Sequence, residues 1–182
     1  MRWDRLFADL EAQLASDAQA ELAGEIADRT RRERALVGLH DRLLAVTGRS
    51  DIAVCIAGLG VVQGSVADVG ADWLLLRKAP DRDHLVPFAA VVWAHGLSGR
   101  ITPPSVVARS FGVGAALRAL SRDRVVVTVA AVDGSRHTGT IDAVGADAID
   151  LAVHAADVPR RQQHVIDVRT MPFTAICAVI RG

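Results

Sequence analysis

The sequence predicts an α+β protein: an N-terminal helical arm followed by two tandem small β-barrels, each a helix and five short strands. Three observations predict it. Apolar residues recur at three-to-four spacing as far as about residue 47, and at a spacing of two from Asp51 onward. All four glutamates (Glu11, Glu21, Glu25, Glu33) precede residue 34, whereas aspartates run the whole length; Glu favours helix interiors and Asp favours turns and caps. Finally, segments of the strand-rich part occur twice in the same order. The expected division is a helical arm over 1–35, a helix and first barrel over 36–99, and a linker helix and second barrel over 100–182.

In the arm, Trp3, Leu6, Phe7, Leu10 and Leu14 form one apolar stripe with Asp4, Asp9 and Glu11 off it. A second stripe runs through Leu22, Ile26, Leu36, Leu39 and Leu43, interrupted by the polar run Asp28 to Arg34. That run is either a helix face or the elbow between two helices. Sustained heptads are missing, so a long coiled coil is not expected. From Asp51, Ile52, Val54 and Ile56 alternate with smaller residues, followed by Val66, Trp73–Leu76, Leu85-Val86 and Val91-Val92, with turn residues between them. Thr102-Pro103-Pro104 breaks the pattern, and Ser105 can cap a helix through about Leu120. Gly112 and Gly114 each weaken that helix by about 1 kcal/mol relative to Ala, which points to close packing. Strand alternation resumes at Val125 and continues to Ile180.

The duplication is the most informative feature. Val66-x-x-Val69-Gly70-Ala71-Asp72 returns as Ile141-x-x-Val144-Gly145-Ala146-Asp147, preceded by Gly64 or Gly139. Val86-Pro87-Phe88-x-Ala90-Val91 returns as Met171-Pro172-Phe173-x-Ala175-Ile176. The helical Val37-Gly38-Leu39, Leu43 and Val46 correspond to Phe111-Gly112-Val113, Leu117 and Leu120. The repeated unit spans roughly 36–97 and 110–180, and the later copy carries a longer loop, His154 to His164.

This layout resembles the Sm-like small barrels, the family that includes Hfq. The second unit is most similar to the first Sm motif through Val127-x-Val129, Asp133-Gly134, Gly139-Thr140-Ile141 and the apolar strand through Ile149 and Leu151. Glycines suit the sharp turns and bends of so small a barrel. The resemblance implies the Pro-Phe elements as the turn between the last two strands, and it implies the fold. RNA binding does not carry over. The Arg-Gly of an Sm-type second motif is replaced by Val86-Pro87-Phe88 or Met171-Pro172-Phe173, Ile180-Arg181-Gly182 falls after the last strand, and the Lys-His pair and stacking aromatic of Hfq-type pockets have no match. The whole chain also resembles a group of uncharacterised proteins from GC-rich bacteria.

Composition bounds the function. With 182 residues, 51% hydrophobic and 23% charged, the chain can bury a core and is not a disordered chain. Lys+Arg 21 against Asp+Glu 21 excludes a globally basic nucleic-acid trap. No apolar stretch reaches the ~18–20 residues needed to span a bilayer. The start lacks a signal-peptide pattern, so a cytoplasmic location is expected. Lys78 is the only lysine, a bias that a GC-rich genome writes as readily as phosphate recognition does.

No motif predicts catalysis or a cofactor. Gly58-Leu59-Gly60-Val61-Val62-Gln63-Gly64 imitates a dinucleotide fingerprint, but its third glycine is misplaced and period-two residues follow where a helix should. It reads as a hairpin turn. His154 and His164, with Asp157 between them, lie on one expected solvated loop and are a weak metal set. Asp72 and Asp147 are matched turn acids, and Cys55 and Cys177 read as small apolar strand residues. The expected function is a non-enzymatic binding or assembly module, an adaptor or regulator acting through protein contacts or self-association, with no small-molecule cofactor. Its candidate assembly surface is Trp3, Leu6, Phe7, Leu10 and Leu14, and edge strands left unpaired would join chains. The alternative is an Sm-like protein binding single-stranded RNA through Arg29, Arg31, Arg32, Arg34, Arg160 and Arg161. Arg122 and Arg124 are a further basic pair at the entry to the second barrel. A metal-dependent enzyme built on His154 and His164 is the third reading.

Overall fold

In each half the first four strands follow one another through antiparallel hairpins and the fifth returns to pair with the first, and the pairings join all ten strands into one sheet. The structure, a computed structural model, describes residues 13, 19, 21–32, 35–78, 81–97, 111–158 and 160–182. The chain divides into a unit of residues 1–38 and a unit of residues 39–182. In the first, residues 21–32 are helical (α1), with Leu22 and Ile26 exposed one turn apart. The second unit begins with α2 (Leu39–Leu44) and continues with β1 (Ile52–Ile56), β2 (Gly60–Val69), β3 (Trp73–Lys78), β4 (Arg82–Pro87) and β5 (Val91–His95). It then forms α3 (Val113–Arg122), β6 (Val126–Ala131), β7 (Arg136–Val144), β8 (Ala148–Val153), β9 (Asp167–Pro172) and β10 (Ile176–Arg181).

The strand order is β5-β1-β2-β3-β4-β10-β6-β7-β8-β9. This corrects the expectation of two tandem barrels. The sheet does not end where the first five strands end: β4 pairs with β10, Val179 opposite Leu85, Ile180 opposite His84 and Arg181 opposite Asp83. The physical reason is legible in the burial. Two apolar cores lie on opposite sides of the central strands, and those strands serve both. Leu74, Leu76 and Val86 enter one core, while Leu85 enters the other and Trp73 and Leu75 pack against it. On β10, Cys177 and Ala178 belong to the first core, Ile176 and Val179 to the second. A strand covered on both faces reads as an unbroken apolar run rather than an alternation, hence Trp73-Leu74-Leu75-Leu76 and Ile176-Cys177-Ala178-Val179-Ile180.

Matched positions adopt matched local geometry. The Gly70 N–H donates to the Trp73 carbonyl at 2.9 Å, and the Gly145 N–H to the Ala148 carbonyl at 2.8 Å. Phe88 and Phe173 donate their N–H groups to the Asp72 and Asp147 carbonyls, both at 2.7 Å. Each Pro-Phe element forms a single 3₁₀ turn, Phe88–Ala90 or Phe173–Ala175, between the last two strands of its half. Irregularities fall at Val66/Asp68 and again at Ile141/Ala143, the bulges that bend a long second strand. A Cβ on Gly64 would strike the Arg77 carbonyl oxygen of the neighbouring strand, and one on Gly139 the Ala152 carbonyl oxygen.

The glycine-rich stretch after β1 is the hairpin turn into β2, with Gly58 and Gly60 at φ +66° and +91°. Helix α3 starts at Val113, with Gly112 as its N-cap residue and residues 105–110 outside the described set. Its first turn is held by the opposite half. Asp72 Oδ1 accepts the Val113 N–H at 2.7 Å, and the Phe111 carbonyl accepts both the Ala71 N–H and the Trp73 indole N–H at 3.0 Å. Gly114 packs under the Phe173 ring. Among the described residues, no helix is long and apolar enough to cross a membrane.

Candidate functional site

A ten-stranded sheet in this order ends on β5 and β9, each paired on one side only among the described residues. Those two edges are the candidate site. On β5, Val92 is the extra residue of a bulge, because Cys55 faces Trp93 and Ile56 faces Val91. Val92 is 63% exposed and Trp93 46%. On β9, Val168 is 54% exposed and Met171 is the only buried residue. Ile166, just before β9, is also exposed. The outer row of backbone donors and acceptors on such a strand is a template for a further strand.

The charged groups near β9 are tied down. Arg169 bonds the Asp167 carboxylate at 3.1 Å and His137 Nδ1 at 2.7 Å. Thr170 donates its hydroxyl to Asp150 at 2.6 Å. On β5 itself the side chains are apolar except His95. One edge is therefore oily and the other a polar lattice with an apolar Val168 set in it.

The described residues expected to matter from sequence fall on separate elements. Trp3, Leu6, Phe7, Leu10, Leu14 and Arg34 lie outside the described residues. Arg29, Arg31 and Arg32 sit on α1, and Arg31 is ion-paired with Asp28 one turn earlier. Arg160 grips Asp142 with Nε at 2.7 Å and its terminal nitrogen in contact with the second oxygen. That fork is a charge-assisted pair, and it engages the guanidinium a phosphate would need. Arg161 is exposed beside it. Arg122 closes α3, and Arg124 holds a left-handed backbone at φ +49°.

His154 corrects the expectation of a solvated loop. It is buried, with Nε2 2.9 Å from the Thr140 hydroxyl and Nδ1 2.8 Å from the Ala155 carbonyl oxygen. Both nitrogens are thus occupied by structural bonds. Among the described residues, no three His, Cys, Asp or Glu side chains gather in a metal-binding group. Cys177 is buried, and burial pushes its thiol up, away from thiolate chemistry. Asp72 and Asp147 do not pair: Asp72 caps α3, and both carbonyls hold the Pro-Phe turns.

The sequence alone leaves open whether any edge stays unpaired and which strands would supply it. The signal is in the comparison of copies: His84-Leu85-Val86 on β4 becomes Arg169-Thr170-Met171 on β9, with Thr170 in place of the leucine that a covered strand uses. No protein-family model matches the chain, and no curated protein sequence matches it.

Proposed function

We propose that this chain is a non-enzymatic binding and assembly module of the cytoplasm, acting as an adaptor or regulator through protein contacts at its two open sheet edges. One observation carries the reading: the chain already contains the junction that its own edges would make. Strand β10 lies on β4 inside the molecule. By the matched Pro-Phe turns, β5 is the counterpart of β10 and β9 the counterpart of β4. Laying β5 of one copy on β9 of the next repeats that junction between chains. The internal register carries over as Ala94 opposite Thr170, His95 opposite Arg169 and Gly96 opposite Val168. Such a head-to-tail contact uses a different surface on each partner, so it builds rings or chains rather than closed pairs.

Single-stranded RNA is the weaker reading, because Arg31 and Arg160 already hold carboxylates. The test for the edge reading is complementation. Trp93→Lys blocks β5 and Val168→Lys blocks β9, since an edge lysine opposes strand addition. Light scattering is expected to show assemblies for the parent chain, monomers for each variant alone, and a heterodimer when the two are mixed, because the mixture keeps one intact edge of each kind. A parent chain that stays monomeric, or variants that still assemble, overturns head-to-tail assembly.

A further inference from the structure

Between α3 and the face of the sheet made by β3, β4 and β10 runs a groove of about 460 Å³. Its floor is Leu75, Leu85 and Val179, which stand opposite one another on the three strands. Leu120 and the small Ala116 and Ala119 of α3 form the roof. Among the described lining residues, the charged ones lie at one end of the groove. At the other end, Trp73 and Phe111 meet, and the indole N–H is satisfied by donating to the Phe111 carbonyl.

The charged end follows from the register. Two residues beyond Leu75, Leu85 and Val179 along the strands come Arg77, Asp83 and Arg181, and α3 brings Arg122 and Asp123 to the same level. Asp83 is held by Arg77 at 3.0 Å. Arg122 and Arg181 have no ion-pair partner among the described residues. Among the described lining residues, Asp83 is thus neutralised by Arg77, and Arg122 and Arg181 stand against Asp123, a positive surplus above an apolar trough. From Trp73 to the level of Arg77 is about 13 Å at ~3.3 Å per residue, room for an extended chain of about ten carbons.

We propose that this groove binds an amphipathic monocarboxylate, its alkyl chain over Leu75, Leu85 and Val179 and its carboxylate between Arg181 and Arg122. Ligand sites of this kind are mostly apolar with a few convergent polar groups that fix orientation. A charge-assisted contact to guanidinium supplies the orientation here. This site is independent of the sheet edges.

Decanoate is the probe, with decanol as its uncharged counterpart. Calorimetry on the full chain is expected to show saturable one-to-one binding of decanoate. Replacing both mouth arginines, Arg122→Ala with Arg181→Ala, is expected to weaken it by about tenfold or more, with melting little changed because both side chains are exposed. Decanol is expected to bind at least about tenfold more weakly. Decanoate brominated at its far end is expected to quench indole emission, and Trp73→Phe to remove that quenching. Saturable binding missing up to about 1 mM decanoate, equal affinity for decanol, or an unchanged affinity in the double variant each overturns the proposal. A fall in assembly mass on adding decanoate also overturns it, since it would show a second copy occupying the groove.

Discussion

Strands β4 and β9 take the same route through their halves. Each runs antiparallel to the strand before it for six residues and ends in a Pro-Phe 3₁₀ turn. They differ in what lies beyond. Strand β4 has β10 on its far side and buries its last four residues, whereas β9 has no neighbour there among the described residues and buries one. The side chains have followed: Leu85 is replaced by Thr170 at the matched position, and His84 by Arg169. Their partners tell a different story. Strand β5 keeps Val91-Val92-Trp93-Ala94, as apolar as the Ile176-Cys177-Ala178-Val179 of β10, although β5 is at the edge. A strand that retains the chemistry of a junction without one is the more adhesive of the two edges.

The largest effect that separates junction from edge is expected at Leu85 and Thr170. Leu85 is 5% exposed, on the face of β4 that enters the second core. Truncation of a core leucine costs about 2–5 kcal/mol, and chemical unfolding of Leu85→Ala should show a loss in that range. Thr170 is exposed, and Thr170→Ala forfeits only its bond to Asp150, worth about 1 kcal/mol or less. Equal losses for the two variants would mean that β9 is buried in solution by a partner.

Protonation probes the same junction. His84 is buried opposite Ile180, its Nδ1 has no hydrogen-bond partner, and burial first, then the nearby Lys78 and Arg82, hold its pKa below 6.5. A histidine whose folded pKa is depressed binds fewer protons when folded than when unfolded. Its contribution is therefore fully present above pH 6.5 and is lost as pH falls through 6.5 toward the lower folded value. Urea unfolding between pH 7.5 and 5 should show this acid-side loss. The variant His84→Leu should show less of it, and an unchanged slope would move the cause elsewhere.

How far this comparison could be read from sequence depends on which residues are asked. The strands were legible because Ile52, Val54 and Ile56 alternate, and the turns because Gly58, Gly64, Gly134 and Gly139 sit where chains bend or touch. What the pattern hides is the origin of the second covering layer. Trp73–Leu76 looks equally apolar whether its far face meets its own repeat or the other one, so two tandem barrels are expected where one shared sheet exists. Side-chain pairing is hidden for the same reason. Arg160 meets Asp142 eighteen residues away across the β7–β9 region, so a cluster that reads as free cation in sequence is an internal fork in space. His154 reads as a solvated loop residue because its bond partner Thr140 lies on β7, fourteen residues away in sequence.

The smallest expected difference concerns how each half enters its first strand. After α2 the chain reverses through Gly48 at φ +86°, and after α3 through Arg124 at φ +49°. Only glycine takes the left-handed region without a Cβ penalty. A Cβ on Gly48 would meet nothing within 4 Å, so Gly48→Ala isolates the backbone term and should destabilise by about 1 kcal/mol. Arg124→Gly removes the same strain from the other half and should stabilise by about 0.5–1 kcal/mol, the entropy of the freer unfolded chain taking back part of the gain. Opposite signs in matched unfolding curves would show that the two halves share one backbone path into their first strands. A loss on Arg124→Gly would show instead that the Arg124 side chain contributes more than its strain costs, and that the second half is held at this point by a contact the first does not have.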